Sequence, residues 1–419
     1  MNNSSNSSLQ DYQAWPIFML AFIRLFYVSI FERALSNYLY FTIEIRESTL
    51  GLISSVGALT YIISPVLGQM LTKKIGMRNA LILNSMLTPL LSGAQILYSA
   101  PWFLIICRIG IGLTMGLFWP NCLYLLSKWQ QVSTAKKSKK NFALFNFSWN
   151  SGFIAGLLVG FMWAFSWSDY LTMIISWTLS FLLIPVSFFI TKDSKKSPVS
   201  ETKVIYQTED PLSHLDIKED LLINSHTPMI VFPILFSWLG IMHLAISKSI
   251  FMFGYPIILK VFDSPSYLTY LVQAGIQFTQ LIGLTLINSM KVYTRKIASV
   301  LSILGLSIMA VTIVFIGNIL YISIVIMCVG LLLGFIHGTS MKIMLEYGTA
   351  KNSTKYSIRN EILVGIGFGV TPIIAGYVAE VNVYYNYMYI IIVGLFLFIS
   401  LLYISRNVKR NFIEKKFYR

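Results

Sequence analysis

Charge is scarce in this chain. Asp, Glu, Lys and Arg make up 12% of its 419 residues, about half the roughly 25% of a soluble domain. A surface facing water needs more charge than that, so an ordinary soluble enzyme is excluded. The same scarcity, with 56% apolar or aromatic residues, excludes a disordered chain, which needs the opposite balance. Acidic groups are rarest, 17 against 32 basic ones, for a formal net charge of +15. Only three cysteines occur, Cys107, Cys122 and Cys328, all inside apolar runs. They have no metal-ligand spacing and no disulfide framework, and read as small buried hydrophobes. The four histidines, His214, His226, His243 and His337, form no His-Glu-x-x-His cluster, so neither a metal centre nor another cofactor is expected. A Gly-x-x-x-x-Gly-Lys-Ser/Thr loop is missing too, which disfavours a nucleotide-driven pump. Residues 1–13 are polar without a basic stretch and do not resemble a cleaved signal peptide.

Long apolar runs are what the sequence has in abundance. About 20 such residues cross a bilayer as a helix, and twelve runs qualify. Six lie at 15–41, 49–70, 79–98, 102–126, 144–166 and 169–191. Six more lie at 229–258, 267–288, 298–316, 318–342, 361–379 and 385–405. The expected fold is therefore an all-α polytopic membrane protein, two six-helix bundles at 15–190 and 229–405. A tail at 1–14, a hydrophilic linker at 191–228 and a basic tail at 406–419 complete the organisation.

The basic residues support that count. With the N-terminus placed in the cytoplasm, the inward loops carry Lys73, Lys74 and Arg78, then Lys128, Lys136, Lys137, Lys139 and Lys140. In the second half they carry Lys291, Arg295 and Lys296, then Lys351, Lys355 and Arg359, and the tail adds six more. Twenty inward bases face only Arg46 and Lys260 on the outside. This asymmetry holds both termini in the cytoplasm and accounts for the positive charge without a nucleic-acid partner. The plasma membrane is the expected location, and a monomer the expected state.

The halves are weakly repetitive. Gly112 and Gly116 match Gly330 and Gly334 at a shift of 218, Gly152 matches Gly367 at 215, and Phe22-Ile23-Arg24-Leu25 matches Ile241-Met242-His243-Leu244 at 219. Ionisable residues inside the runs follow the same repeat. Arg24, Glu32 and Arg33 fall in span one, Arg108 in span four, His243 and Lys248 in span seven, and His337 in span ten. A charge in the membrane is costly and marks function. One helix in every three thus carries the charge, as a polar cavity lined by spans one, four, seven and ten requires. At about 100° per residue Arg24 and Arg33 point roughly opposite ways. Arg24 is taken as the cavity-facing one, with His243 as its counterpart. Glu32 and Arg108 come to similar depth, close enough to pair.

Three segments carry a resemblance to the major facilitator superfamily. Gly68-Gln69-Met70-Leu71-Thr72-Lys73-Lys74-Ile75-Gly76-Met77-Arg78 looks like its loop between spans two and three, without the acidic residue and one residue longer. Arg108-Ile109-Gly110-Ile111-Gly112 resembles its Arg-x-x-x-Gly element in span four. Ser148 to Gly160, with Gly152 and Gly156, is similar to its glycine-rich fifth span, and span eleven has a counterpart around Gly367 and Pro372. The resemblance implies a secondary transporter working by alternating access, its moving parts at Gly68, Gly76, Arg78, Gly112, Gly152, Gly156 and Pro372.

A cavity with Arg24, Arg108, His243, Lys248 and His337 against Glu32 is net positive. That favours a small anionic or zwitterionic solute, with a proton as coupling ion through Glu32 or His243. Two other readings are multidrug-type efflux of lipophilic compounds and a receptor or scaffold that has lost transport.

Overall fold

A computed structural model describes residues 14–132, 135–191, 233–348 and 353–416. The N-terminal tail, most of the linker and the first lysines of the 136–140 cluster lie outside the described residues and side chains, as does the basic tail's side-chain detail.

All regular structure among the described residues is helical. The first half holds α1 (Trp15–Asn37, continued by a π-turn to Thr42), α2 (Glu47–Ile75), α3 (Met77–Leu97), α4 (Pro101–Val132), α5 (Ala135–Ser166), α6 (Asp169–Ser180) and α7 (Leu183–Phe188). The second holds α8 (Ile234–Val261), α9 (Leu268–Ser289), α10 (Val292–Phe315), α11 (Ile319–Gly348), α12 (Ser353–Val381) and α13 (Tyr384–Lys416). Helix α6 and the short α7 share one span, interrupted at Phe181 and Leu182. Among the described residues twelve helical stretches are long and apolar enough to cross a membrane, at the positions expected to within a few residues. Their outer faces present large apolar side chains such as Leu90, Leu320, Ile392 and Phe396, a surface suited to lipid and unsuited to water. Cys107 and Cys122 are buried as expected, but Cys328 lies on such an exposed face of α11.

In a bilayer a helix is favoured because it satisfies its own backbone groups. Pro65, Pro89 and Pro372 stand inside α2, α3 and α12, each removing one backbone hydrogen bond. The sharp stop between α2 and α3 needs Gly76, whose φ of +85° suits no side-chain-bearing residue.

The chain divides into two compact units. The described residues up to Thr191 group with Ser264–Leu271, and the rest from Pro233 onward form the second. In unit one, α2 and α4 meet at Gly68, Gly112 and Gly116. A Cβ on Gly68 would stand 2.2 Å from the Gly116 carbonyl oxygen, and one on Gly116 only 2.0 Å from that of Ser64. Helices α1 and α5 touch the same way, Gly152 against the Phe22 carbonyl and Gly156 against that of Phe26. Unit two repeats both seams. Gly330 packs on the Ile276 carbonyl between α9 and α11, and Gly367 on Ala245 between α8 and α12. Small residues let membrane helices approach to backbone contact. Second with fourth and first with fifth is the same pairing in each six-helix repeat.

Candidate functional site

In unit one the acid and base expected to pair do so. Arg108 on α4 forms a salt bridge to Glu32 on α1. The arginine side chain is 8% exposed and the glutamate 35%, so one partner is sealed while the other has access to the surroundings.

Arg24, expected to face a cavity, is instead sealed at 1% exposure. Its Nη1 donates to Asn84 Oδ1 at 2.9 Å and Thr88 Oγ1 at 3.3 Å on α3, and its guanidinium lies 4.6 Å from the centre of the Phe118 ring on α4. The physical reason is the polar stripe of α3. Asn84, Thr88, Ser92 and Gln95 recur at helical spacing and are all buried, so that face offers a cation a place inside the bundle. Tyr27 and Phe118 belong to the same sealed core.

The loop motif is wired without its acid. Asn121 Nδ2 on α4 donates to Thr72 Oγ1 at 3.0 Å, where the resembled loop carries a charge. Arg78 Nη2 donates to the carbonyl oxygen of Phe188 at the end of α7, 2.9 Å away. Bonds to neutral acceptors thus hold the turn to its neighbours.

A third polar cluster escaped the sequence reading. Asp169, the first residue of α6, accepts from Asn37 Nδ2 at 3.1 Å, from Tyr270 Oη at 3.0 Å and from Ser266 Oγ. Asn37 is fully buried and also donates to Thr269 Oγ1 at 2.9 Å. The sequence carried no signal for it: an aspartate in the first turn of a helix capped by Ser168 already has a local reason to be there, and nothing local hints at three distant donors. We expect Asp169→Ala to destabilise the protein more than Asp169→Asn, because alanine leaves the Ser266 and Tyr270 hydroxyls without this acceptor, at about 1–3 kcal/mol each. Thermal unfolding of the two purified variants checks this. Equal midpoints would mean the cluster contributes nothing.

Unit two holds the remaining expected residues. His243 on α8 is 2% exposed; its Nε2 lies 3.5 Å from Ser247 Oγ, and its Nδ1 has no partner among the described residues. It is thus enclosed within its own unit, where a cavity-lining position was expected. Lys248, one turn further along, is different. It is only partly buried, and its Nζ donates to Gln280 Oε1 at 2.7 Å and to Gln277 Oε1, both on α9. Gln280 Nε2 lies 3.4 Å from His337 Nδ1 on α11. The structure therefore brings Lys248 and His337 together through two glutamines that a census of charges passes over. Gln273, Gln277 and Gln280 follow helical spacing along one face of α9, a periodicity that would have disclosed them. No group of three or more His, Cys, Asp or Glu able to hold a metal ion occurs among the described residues.

Twelve apolar helices in two repeats, with glycine seams and an Arg-x-x-x-Gly element on the fourth, are the frame for comparison with known proteins. The profile described as Major Facilitator Superfamily matches residues 17–357. The chain belongs to that superfamily. No curated protein matches it in sequence. Among solved structures, a mutant of the nucleoside transporter NupG superposes with a TM-score of 0.70 at 12% identity, over 93% of this chain and 99% of that one. The peptide transporter POT in complex with sulfate gives 0.64 at 16% identity, over 95% of each chain. Identities this low establish the fold and leave the solute open. This major facilitator is thus an integral, multi-pass membrane protein with the fold of secondary transporters.

Proposed function

We propose that this chain is a secondary active transporter that moves a small organic anion or zwitterion by alternating access, coupled to a proton. The observation that carries the reading is the imbalance of charge among its membrane-embedded groups. Lys248, only partly buried, has only neutral hydrogen-bond partners among the described residues, Arg24 is sealed away with neutral partners of its own, and Glu32 is already engaged by Arg108. Uncompensated cations in a low-dielectric interior favour a ligand that brings negative charge. Glu32, with a third of its side chain exposed, is the group where a proton enters. Protonation would weaken its hold on Arg108 and so link the proton to the arrangement of α1 and α4. The distribution of basic loops supports an orientation with both ends cytoplasmic.

The test is flux into proteoliposomes under an imposed pH gradient. Labelled organic anions should accumulate when the gradient is present and equilibrate when an ionophore removes it. Flux restricted to lipophilic cations would indicate multidrug export instead. Absence of flux for every solute class would indicate a receptor or scaffold on the same fold.

A further inference from the structure

The Lys248 cluster uses acceptors on its own members, and its chemistry can be followed atom by atom. Lysine can only donate. The atoms of Gln277 and Gln280 facing Nζ are therefore carbonyl oxygens, and the amide orientation, often ambiguous, is fixed here. With Oε1 of Gln280 turned to Lys248, its NH2 group is the part that faces His337 Nδ1. That ring nitrogen must accept, so the imidazole carries its proton on Nε2. Three donors remain unengaged by the described residues: one N–H of Lys248, the NH2 of Gln277 and Nε2–H of His337. All three residues are only partly buried, so the donors open outward from the helices.

Lys248 cannot reach a membrane surface. It stands fourteen residues after the start of α8 and thirteen before its end, roughly 20 Å from either at 1.5 Å per residue. Nor does it have an acid to pair with. Spans seven to ten contain no Asp or Glu, and no carboxylate contacts it among the described residues. A lysine kept in mid-helix against glutamine oxygens, half-open and uncompensated, is a costly arrangement unless something anionic completes it.

We propose that Lys248, Gln277 and His337 form a subsite for the carboxylate group of the transported solute. A carboxylate is acceptor-only and carries one charge, matching one ammonium and two neutral donors. A doubly charged phosphate would call for more cations, typically arginines. Gln280 is the positioning residue. It holds Lys248 with its oxygen and sets the His337 tautomer with its nitrogen. This inference rests on the transporter reading and specifies the solute group that reading leaves open.

The test uses the full chain purified in detergent. Thermal midpoints are titrated with acetate, L-lactate, succinate and benzoate, and with the corresponding amides, at constant ionic strength. A ligand raises the midpoint in proportion to its binding to the folded state. At least one carboxylate should stabilise the wild type while its amide does not. Lys248→Gln should raise the half-saturating concentration about tenfold or more, the loss expected for a charge-assisted bond. Lys248→Arg should retain most of the binding, and His337→Gln should weaken it severalfold, which keeps the test open if Lys248→Gln folds poorly. The subsite is overturned if no carboxylate stabilises the protein, if amides act as well as acids, or if Lys248→Gln binds as the wild type does. Counterflow of labelled solutes in proteoliposomes separates the two levels. Transport of an uncharged solute would sink the carboxylate subsite and leave the transporter reading standing, whereas no flux at all would sink the transporter reading.

Discussion

Gly116→Val is expected to lower the thermal midpoint of the purified chain more than any single polar substitution, and to reduce the yield of folded protein. The cause is backbone against backbone. A Cβ at Gly116 would lie 2.0 Å from the Ser64 carbonyl oxygen and 2.8 Å from the Ser64 Cβ. Overpacking costs about 1–3 kcal/mol where side chains can yield by changing rotamer. Here a carbonyl fixed in α2 must move, so about 3 kcal/mol is the smallest loss to expect. The whole α2–α4 seam must open, and with it the 2.2 Å approach of Gly68 and the Thr72–Asn121 bond further along. Gly330→Val should behave alike in unit two, where the Ile276 carbonyl lies 2.1 Å from the built Cβ. The control lies on the same seam. A Cβ at Gly57 would meet only the Arg108 carbonyl, at 3.8 Å. Gly57→Ala should therefore be neutral or stabilising, since alanine gains up to about 1 kcal/mol in helix propensity. If Gly116→Val and Gly57→Ala melt together, the seam is not what holds the unit.

These seams were legible before any coordinates, because a glycine in an apolar helix has few other uses. The shift of about 218 residues between Gly112 and Gly330 corresponds to one pairing, second helix with fourth, in both units. The Glu32–Arg108 bridge was legible for a different reason. Opposite charges at one depth in a membrane have a strong incentive to meet.

What escaped was polarity without charge. Arg24 was expected to face a cavity because it matches His243 in the repeat, yet the neutral stripe of Asn84 and Thr88 hosts it inside the bundle. The glutamines of α9 lie in a run that reads as merely apolar when only ionisable residues are counted. Asp169 escaped because it sits at a helix start, where an aspartate already has a sufficient local reason. Its partners Asn37 and Tyr270 are 132 and 101 residues away. Spacing within one segment carries no information about such pairings.

The second large effect concerns Glu32 and Arg108, where stability and transport should respond differently to the same substitutions. Arg108→Gln removes the buried partner and leaves a carboxylate that is one-third exposed. Glu32→Gln leaves the guanidinium, 8% exposed, without its counter-ion. Breaking a fully buried pair costs roughly 3–5 kcal/mol. Exposure of the glutamate reduces this to about 1–2 kcal/mol when Arg108 is the residue lost, since water can then solvate the remaining charge. Glu32→Gln should cost more, because the stranded cation is the sealed one. The double variant should regain part of the loss, since two neutral amides at this separation can bond to each other. Thermal midpoints of the four proteins give the coupling directly, and strict additivity would mean the bridge has no energetic weight. Transport should not recover with stability. If Glu32 carries the proton, both Glu32→Gln and the double variant should exchange solute across the bilayer at measurable rates yet fail to concentrate it under a pH gradient. Accumulation by Glu32→Gln at the wild-type level would move the coupling proton to another group, and the neutral ring of His337 would become the next to examine.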